Sequence, residues 1–284
     1  MHFVVCIKQV PDSAQIRVHP VTNTIMRQGV PSIINPYDLF ALEAALRMRD
    51  ALGGDVTVLC MGPPMAEESL RKALAYGATR AVLLTDRQFA GSDTLATSYA
   101  LAAAIRKIAH TWGVPNLVFT GKQTIDGDTA QVGPGICKRL GLNQLTYVSQ
   151  IRSLDPATGE LVVERRAEGG VQVLATKAPA LITMLDDSNE IRRGSFDDAL
   201  RAAKAEIVKW TAADAGITDL EKCGLKGSPT VVKKVFAPTP KSEKAHVIAV
   251  DGHSHDALAD SLINEIFSRQ PSIEAELFEQ ATLN

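Results

Sequence analysis

The stretch richest in chemical possibility is Thr120-Gly121-Lys122-Gln123-Thr124-Ile125-Asp126-Gly127-Asp128-Thr129-Ala130-Gln131-Val132-Gly133-Pro134. It follows a short apolar run and opens a helical pattern. Backbone N–H groups in such a loop, with the positive end of the helix dipole, suit a phosphate or pyrophosphate. Thr129 and Gln131 would add side-chain donors. Read as structure alone, the same stretch is a solvated loop in which Asp128 or Thr129 caps the next helix. Three more loops fall at equivalent places: after Lys8, at Asn35–Asp38, and after Met61. In an open parallel sheet, ligands sit beyond the carboxyl ends of the strands.

Other chemistries lack their residues. There is no G-x-G-x-x-G after the first strand, no phosphate-loop lysine motif and no G-x-S-x-G elbow. Cys6, Cys60, Cys137 and Cys223 are dispersed, with no C-x-x-C pair and no histidine spaced to complete a zinc site. They read as reduced thiols packed as small hydrophobes. His2, His19, His110, His246, His253 and His255 stand in terminal, helix-surface or arm positions and read as non-catalytic. His253 and His255 alternate in a polar loop, where a solvated turn is the simpler reading than a metal site.

The elements that must position these loops follow from periodicity. Phe3–Lys8, Val56–Met61, Ala81–Thr85 and Leu117–Thr120 are apolar runs, read as strands. Between them lie a helix opened by Asn35-Pro36-Tyr37-Asp38, a helix over Glu67–Tyr76, and an Ala-rich helix from Ser92-Asp93 to about Trp112. In the first helix Leu39, Leu42, Ala45, Leu46 and Met48 form the apolar side, with Glu43, Arg47, Arg49 and Asp50 towards water. A further helix is expected over Thr129–Leu140. Apolar strands alternating with helices imply a parallel sheet covered on both faces.

Beyond residue 141 the pattern becomes consecutively β-like, at Thr146–Arg152, Leu161–Arg166, Val171–Thr176 and Pro179–Leu185. This reads as an antiparallel excursion. Phe196–Ala205 reads as helix and Glu206–Trp210 as strand. Gly224–Lys244 reads as an extended connector, followed by a strand at His246–Val250 and a helix at Asp256–Ser268. Residues 1–223 are thus expected to form the main domain, and 224–284 a connector and arm. With 284 residues, 45% hydrophobic and 22% charged, and a net charge of −2, the chain has ordinary globular composition. That balance argues against a nucleic-acid binder or a polybasic membrane anchor. No uncharged apolar run approaches the roughly 18 residues of a membrane helix, and Lys8 and Asp12 come too early for a signal peptide.

The segment from Val163-Glu164-Arg165-Arg166-Ala167-Glu168-Gly169-Gly170 through Lys177-Ala178-Pro179-Ala180-Leu181-Ile182-Thr183 resembles the signature of the electron transfer flavoprotein beta subunit. Val5-Cys6-Ile7-Lys8-Gln9-Val10-Pro11-Asp12, Ile34-Asn35-Pro36-Tyr37-Asp38 with its Glu43-Ala44-Ala45-Leu46 helix, and Gly121-Lys122-Gln123-Thr124-Ile125-Asp126 resemble the same family in the same order. The resemblance runs from about residue 3 to 210. It implies an α/β fold with a parallel Rossmann-like, adenine-nucleotide-binding sheet and helices on both faces. It also implies a heterodimer with an alpha subunit and cytoplasmic electron transfer between flavins. Ordinary members hold a structural AMP in the beta subunit. Electron-bifurcating members hold a second FAD there, which takes hydride from NADH.

The bifurcating group is the closer resemblance, through Leu59-Cys60-Met61-Gly62-Pro63-Pro64, the Asp86–Tyr99 stretch, and Gly127 between Asp126 and Asp128. A glycine there would let a diphosphate approach the backbone. Carried over by position, the adenosine part would contact Cys6, Asn35, Pro36, Tyr37, Asp38 and Met61, and the phosphates would lie on Gly121 to Val132. The Phe89-Ala90-Gly91-Ser92-Asp93-Thr94 loop would line the flavin side. Asn189–Leu200 resembles the family's partner-recognition loop, with Phe196 as the residue that docks on an acyl-CoA dehydrogenase. The alternative for Phe196 is a buried staple at a helix start. The resemblance further implies ferredoxin or flavodoxin as low-potential acceptor. A different class, a universal-stress-type nucleotide-binding regulatory module, would lack the β-like excursion and the Asn189–Leu200 loop.

Overall fold

Every residue of the first strand, β1 (His2–Ile7), is buried, which requires a sheet covered on both faces. The structure is a computed structural model and describes residues 1–12, 17–18, 25–26, 31–231, 247–248, 252 and 254–282. These fall into two compact units, one within 1–237 and one within 238–284.

In chain order the first unit contains β1, β2 (Gln9–Pro11), β3 (Arg17–Val18), β4 (Ile25–Met26), β5 (Ser32–Ile34), α1 (Pro36–Leu52), β6 (Asp55–Met61), α2 (Glu67–Ala75), β7 (Arg80–Leu84), α3 (Thr94–Trp112), β8 (Leu117–Gly121) and α4 (Val132–Leu140). It continues with β9 (Asn143–Leu154), β10 (Glu160–Ala167), β11 (Gly170–Lys177), β12 (Ala180–Met184), α5 (Phe196–Lys204) and β13 (Val208–Trp210). The second unit holds α6 (His255–Arg269), capped by the Ser254 hydroxyl, and α7 (Pro271–Thr282). Periodicity anticipates α6 but not α7.

The main sheet has nine strands in the order β11-β10-β9-β12-β8-β1-β6-β7-β13. All neighbours from β9 to β13 run parallel, and only β9, β10 and β11 pair antiparallel. The order β7-β6-β1-β8-β12 is the Rossmann arrangement. Pro179–Leu185, expected within the antiparallel excursion, is instead a parallel strand inserted between β8 and β9. Its five strand residues are all buried, as an interior parallel strand demands and a one-sided hairpin strand does not.

Alternate residues of each strand feed two cores. Phe3, Val5 and Ile7 join Leu42, Leu46, Leu70 and Leu74 of α1 and α2. Val4 and Cys6 join Leu101, Ile105, Ile108 and Ile136 of α3 and α4 on the other face. At about 25 cal/mol per Å² of apolar surface removed from water, such fully buried side chains dominate the stability of the layer.

Some sequence expectations need correction. Glu43, placed towards water by periodicity, is only 3% exposed, because Arg47 and Arg192 close over it. His2 is not a loose terminus. Its ring is buried between the Thr57 hydroxyl and the Gly113 carbonyl oxygen, 2.9 Å from each, and burial lowers its pKa. The helix expected from Thr129 begins at Val132, and its cap residue Gln131 makes no side-chain capping bond. Asp128 and Ala130 adopt left-handed φ of 50° and 55°, so the chain cannot wind into a helix there. Most of the expected connector at 224–244, residues 246, 249 and 250 of the expected strand, and His19, His246 and His253 lie outside the described residues, and the described 247–248 are not in a strand. The first part of that connector, residues 224–231, is described. There, Ser228 accepts from the Asp93 N–H at 2.8 Å and Thr230 donates to the Asp93 carboxylate at 2.8 Å.

Candidate functional site

From β1 the chain moves through α1 to β6 on one side, and from β8 it moves through α4 to β9 on the other. The carboxyl ends of β1 and β8 are therefore the switch point of the sheet, where a crevice opens. Three predicted segments meet there: the residues after β1, the start of α1, and the loop after β8.

Asn35 precedes α1, and Pro36 occupies the first helical position, where a missing N–H costs nothing. The Asn35 side chain makes no capping bond. It donates instead to the Gln123 carbonyl oxygen at 2.9 Å and accepts from the Ile125 N–H at 3.2 Å. A residue type that normally caps its own helix is here latching the loop after β8.

Asp38, one turn into α1, is buried. Its carboxylate accepts from the Lys8 N–H at 2.8 Å and from the Gly121 N–H at 3.0 Å, so it ties the ends of β1 and β8 together. Burial pushes its pKa up to about 7, with the two backbone donors, Asn35 and the Lys8 charge pulling the other way. Lys8 Nζ lies 2.8 Å from both oxygens of Asp126, joining the β1 end to the tip of the loop. Burial raises the Asp126 pKa, but Lys8, the Thr124 hydroxyl and a backbone N–H together leave it below the ordinary carboxylate value. Lys122 sits over the Tyr37 ring at 4.8 Å and pairs with Asp186 at 3.1 Å.

The loop carries features of a phosphate cradle. A Cβ on Gly121 would come within 2.6 Å of Asp38 Oδ1 and of the Tyr37 backbone, so only glycine fits. Gly133, in the first turn of α4, faces the Thr120 hydroxyl. That hydroxyl is buried and has no hydrogen-bond partner among the described residues, an orphan of the kind a bound group would satisfy. Gly127 is different. A Cβ there would meet only Thr124 Oγ1, at 3.4 Å, and its φ is not left-handed. The fold does not require glycine at that position, so its bareness keeps the outer surface of the loop open. Ala130 in the left-handed region next to right-handed Gln131 gives successive N–H groups the concave arrangement that receives anions. Thr129 is exposed. The residues present fit a nucleotide phosphate.

The other predicted residues are distributed as follows. Cys6 is buried on the α3 and α4 side. Met61, half-buried, ends β6 one position beyond the Ile7–Cys60 register pair and is level with Lys8. Thr94 donates to Gln131 Oε1 at 2.9 Å, so the start of α3 does reach the phosphate loop. Asp93 caps α3 by accepting from the Leu95 and Ala96 N–H groups. Phe89 turns into the core. Gly91 faces Leu225, and Ser92 accepts from the Gly224 N–H at 3.1 Å. Burial raises all four thiols, Cys60 up to about 12, so they stay protonated, and none forms a disulfide. Among the described residues no cluster of metal-ligating side chains occurs, and no helix is long and apolar enough to cross a membrane. Sequence reasoning passes over Lys8 and Thr120 as site residues, although both stand at strand ends within the quoted motifs.

Phe196 is 82% exposed at the first position of α5, so the buried-staple alternative is overturned. Ser195 caps the helix by accepting from the Asp198 N–H at 3.0 Å. Leu200, one turn on, is also exposed.

Comparison with known proteins finds relatives over most of the chain. Residues 22–215 match the electron transfer flavoprotein domain. Protein FixA of Azorhizobium caulinodans is 71% identical over 277 residues, covering 98% of each chain. Protein FixA of Azotobacter vinelandii is 62% identical over 285 residues, covering 99% of this chain and all of its own. The electron transfer flavoprotein subunit beta of Clostridium acetobutylicum is 49% identical over 235 residues, covering 82% of this chain and 87% of its own. The chain belongs to the electron transfer flavoprotein family, as a subunit of the beta type.

Proposed function

We propose that this chain pairs with an electron transfer flavoprotein alpha subunit in the cytoplasm, holds FAD in the β1/β8 crevice and takes part in electron bifurcation. Its electrons come from NADH. One leaves for a low-potential acceptor such as ferredoxin or flavodoxin. The other passes through FAD on the alpha subunit to an acyl-CoA dehydrogenase-type flavoenzyme. The supporting observation is the bare Gly127 surface, which the fold would let a side chain occupy, set beside the orphaned Thr120 hydroxyl. Together they leave room and donors for a diphosphate, more than a single phosphate needs.

When bound, FAD supplies hydride acceptance and one-electron transfer. The chain's own residues bind and orient. The loop from Gly121 to Val132 receives the phosphates, Asn35 and Asp38 hold that loop against β1, and the Asn35–Asp38 turn with Cys6 and Met61 surrounds the adenosine. Residues 89–94 form the flavin side, Thr94 being fixed through Gln131. No side chain is needed as a general acid or base. Residues 1–223 act as the nucleotide-binding domain and 224–284 as a connector and arm for the alpha subunit. Phe196 docks on the accepting flavoenzyme.

Extraction and chromatography of the nucleotides bound to the heterodimer test this reading. Two FAD per heterodimer are expected, and one FAD with one AMP would leave an ordinary electron carrier. With NADH, ferredoxin and a high-potential acceptor, both acceptors should be reduced only when both are present.

A further inference from the structure

The segment that leads from β12 to Phe196 does not rest on an apolar bed. It crosses a polar cavity of about 830 Å³ lined by Glu43, Arg49, Asp50 and Tyr76 on one side and by residues 190–195 on the other. Asn189 ties its start to α1 by donating to the Phe40 carbonyl oxygen at 2.9 Å, and charge holds the rest. Glu43, 3% exposed on α1, accepts from Arg192 Nε at 2.7 Å and from Arg47 Nε at 2.6 Å. The Arg192 N–H also donates to the Glu43 carboxylate at 3.3 Å, and its guanidinium reaches Asp50 at 2.7 Å. Arg47 closes the frame by donating to the Glu190 carbonyl oxygen at 2.8 Å. One buried carboxylate thus anchors both a side chain and the backbone of a segment almost 150 residues away.

Burial alone would raise the Glu43 pKa, yet the two guanidinium groups hold it below the ordinary glutamate value. The carboxylate is therefore charged and fully engaged. Planar fork-to-carboxylate pairing restricts direction as well as distance. Four residues beyond Arg192, Phe196 begins α5 with its ring in solvent. The rest of α5 is fastened separately, through Arg201 to the Leu74 and Ala78 carbonyl oxygens and through Arg71 to the Ala202 carbonyl oxygen. The helix body and the approach segment are thus held by different contacts.

We propose that Glu43 and Arg192 are positioning residues, which fix the approach to α5 so that Phe196 is presented to the electron-accepting protein in one orientation. This rests on the docking reading of Phe196. Pre-organising the segment removes ordering that would otherwise accompany each encounter. On this reading the two residues act through the segment they hold, so they should alter how readily the partner is engaged and leave the rate within the engaged complex unchanged.

The test uses the heterodimer with its alpha subunit, carrying Arg192→Ala, Arg192→Lys, Asp50→Asn or Phe196→Ala. Two readouts are taken. The first is amide hydrogen exchange over residues 189–196. Arg192→Ala should raise it at least tenfold, with Arg192→Lys and Asp50→Asn in between and Phe196→Ala near wild type. The second is electron transfer from the chemically reduced heterodimer to a purified acyl-CoA dehydrogenase. Arg192→Ala should raise KM about tenfold with kcat within twofold, while nucleotide content is unchanged. Unchanged exchange in Arg192→Ala overturns the proposal whatever the kinetics. Raised exchange with an unaltered KM, where Phe196→Ala does raise KM, also overturns it. If Phe196→Ala leaves KM unaltered, the docking reading fails, and the proposal that rests on it falls too. Should Arg192→Ala not yield a heterodimer, Asp50→Asn takes its place: exchange and KM should both rise, and a failure of either to rise overturns the proposal.

Discussion

The Asp38 carboxylate accepts the Gly121 N–H at 3.0 Å, and a Cβ on Gly121 would fall 2.6 Å from that same oxygen. The closeness that makes the hydrogen bond also forbids every residue but glycine. Since the other Asp38 oxygen accepts from the Lys8 N–H, the switch point of the sheet is closed by one side chain lying between two strand ends.

Gly121→Ala should therefore cost about 1–3 kcal/mol, as overpacking in a tight interior does. It should also lower nucleotide content, because Asp38 or the Tyr37 backbone must move. Thermal denaturation and nucleotide extraction measure both. A variant as stable and as fully loaded as wild type would contradict the described approach.

Asp38 also sets a pH dependence. Its folded pKa, about 7, lies above the ordinary aspartate value near 3.9. Between those values the folded chain keeps a proton that the unfolded chain has lost. The contribution is then fully present below about pH 4 and falls as pH rises through 7, by up to about 1.4 kcal/mol per pH unit. Asp38→Asn should remove this slope in urea denaturation between pH 5 and 8. The same slope in both proteins would show that the proton sits elsewhere.

Gly127→Glu places bulk and negative charge where the phosphates are proposed to lie, and should weaken nucleotide binding by about 2–4 kcal/mol through repulsion and lost hydrogen bonds. Gly127→Ala, whose Cβ makes only ordinary contact, should be close to neutral for stability. Equal flavin content in Gly127→Glu and wild type would move the phosphates off this loop.

Phe196→Ala should leave stability within about 0.5 kcal/mol, as exposed positions do, since the ring is 82% exposed. If the ring anchors a partner, its loss should weaken docking by about 2 kcal/mol, read as slower electron delivery with flavin reduction by NADH unchanged. Loss of both activities together would mean that Phe196 supports the fold.

The parallel strands are legible because each is a continuous apolar run bounded by breakers, as in Val56–Met61 and Leu117–Thr120. The loops of the site are legible because they follow those runs. Three features escape. The start of α4 depends on left-handed φ at Asp128 and Ala130, which residue type does not announce outside glycine. The parallel pairing of β12 depends on neighbours brought in from residues 117–121 and 143–148. Glu43 reads as a surface glutamate because its partner Arg192 is 149 positions away, and helical periodicity reports only on the helix itself.

The place of β1 in the sheet has a consequence for how the chain is made. Phe3 pairs with Val56 on one side and with Leu117 on the other. During synthesis β1 emerges first, yet its second edge stays open until more than a hundred further residues have left the ribosome. An apolar strand with an uncovered edge is a template for wrong pairing, and such distant closure slows folding. The nascent chain is thus most vulnerable to aggregation before β8 arrives. A truncation that ends between α3 and β8 should be recovered only with a chaperone, whereas one that ends after α4 has its central strand sealed.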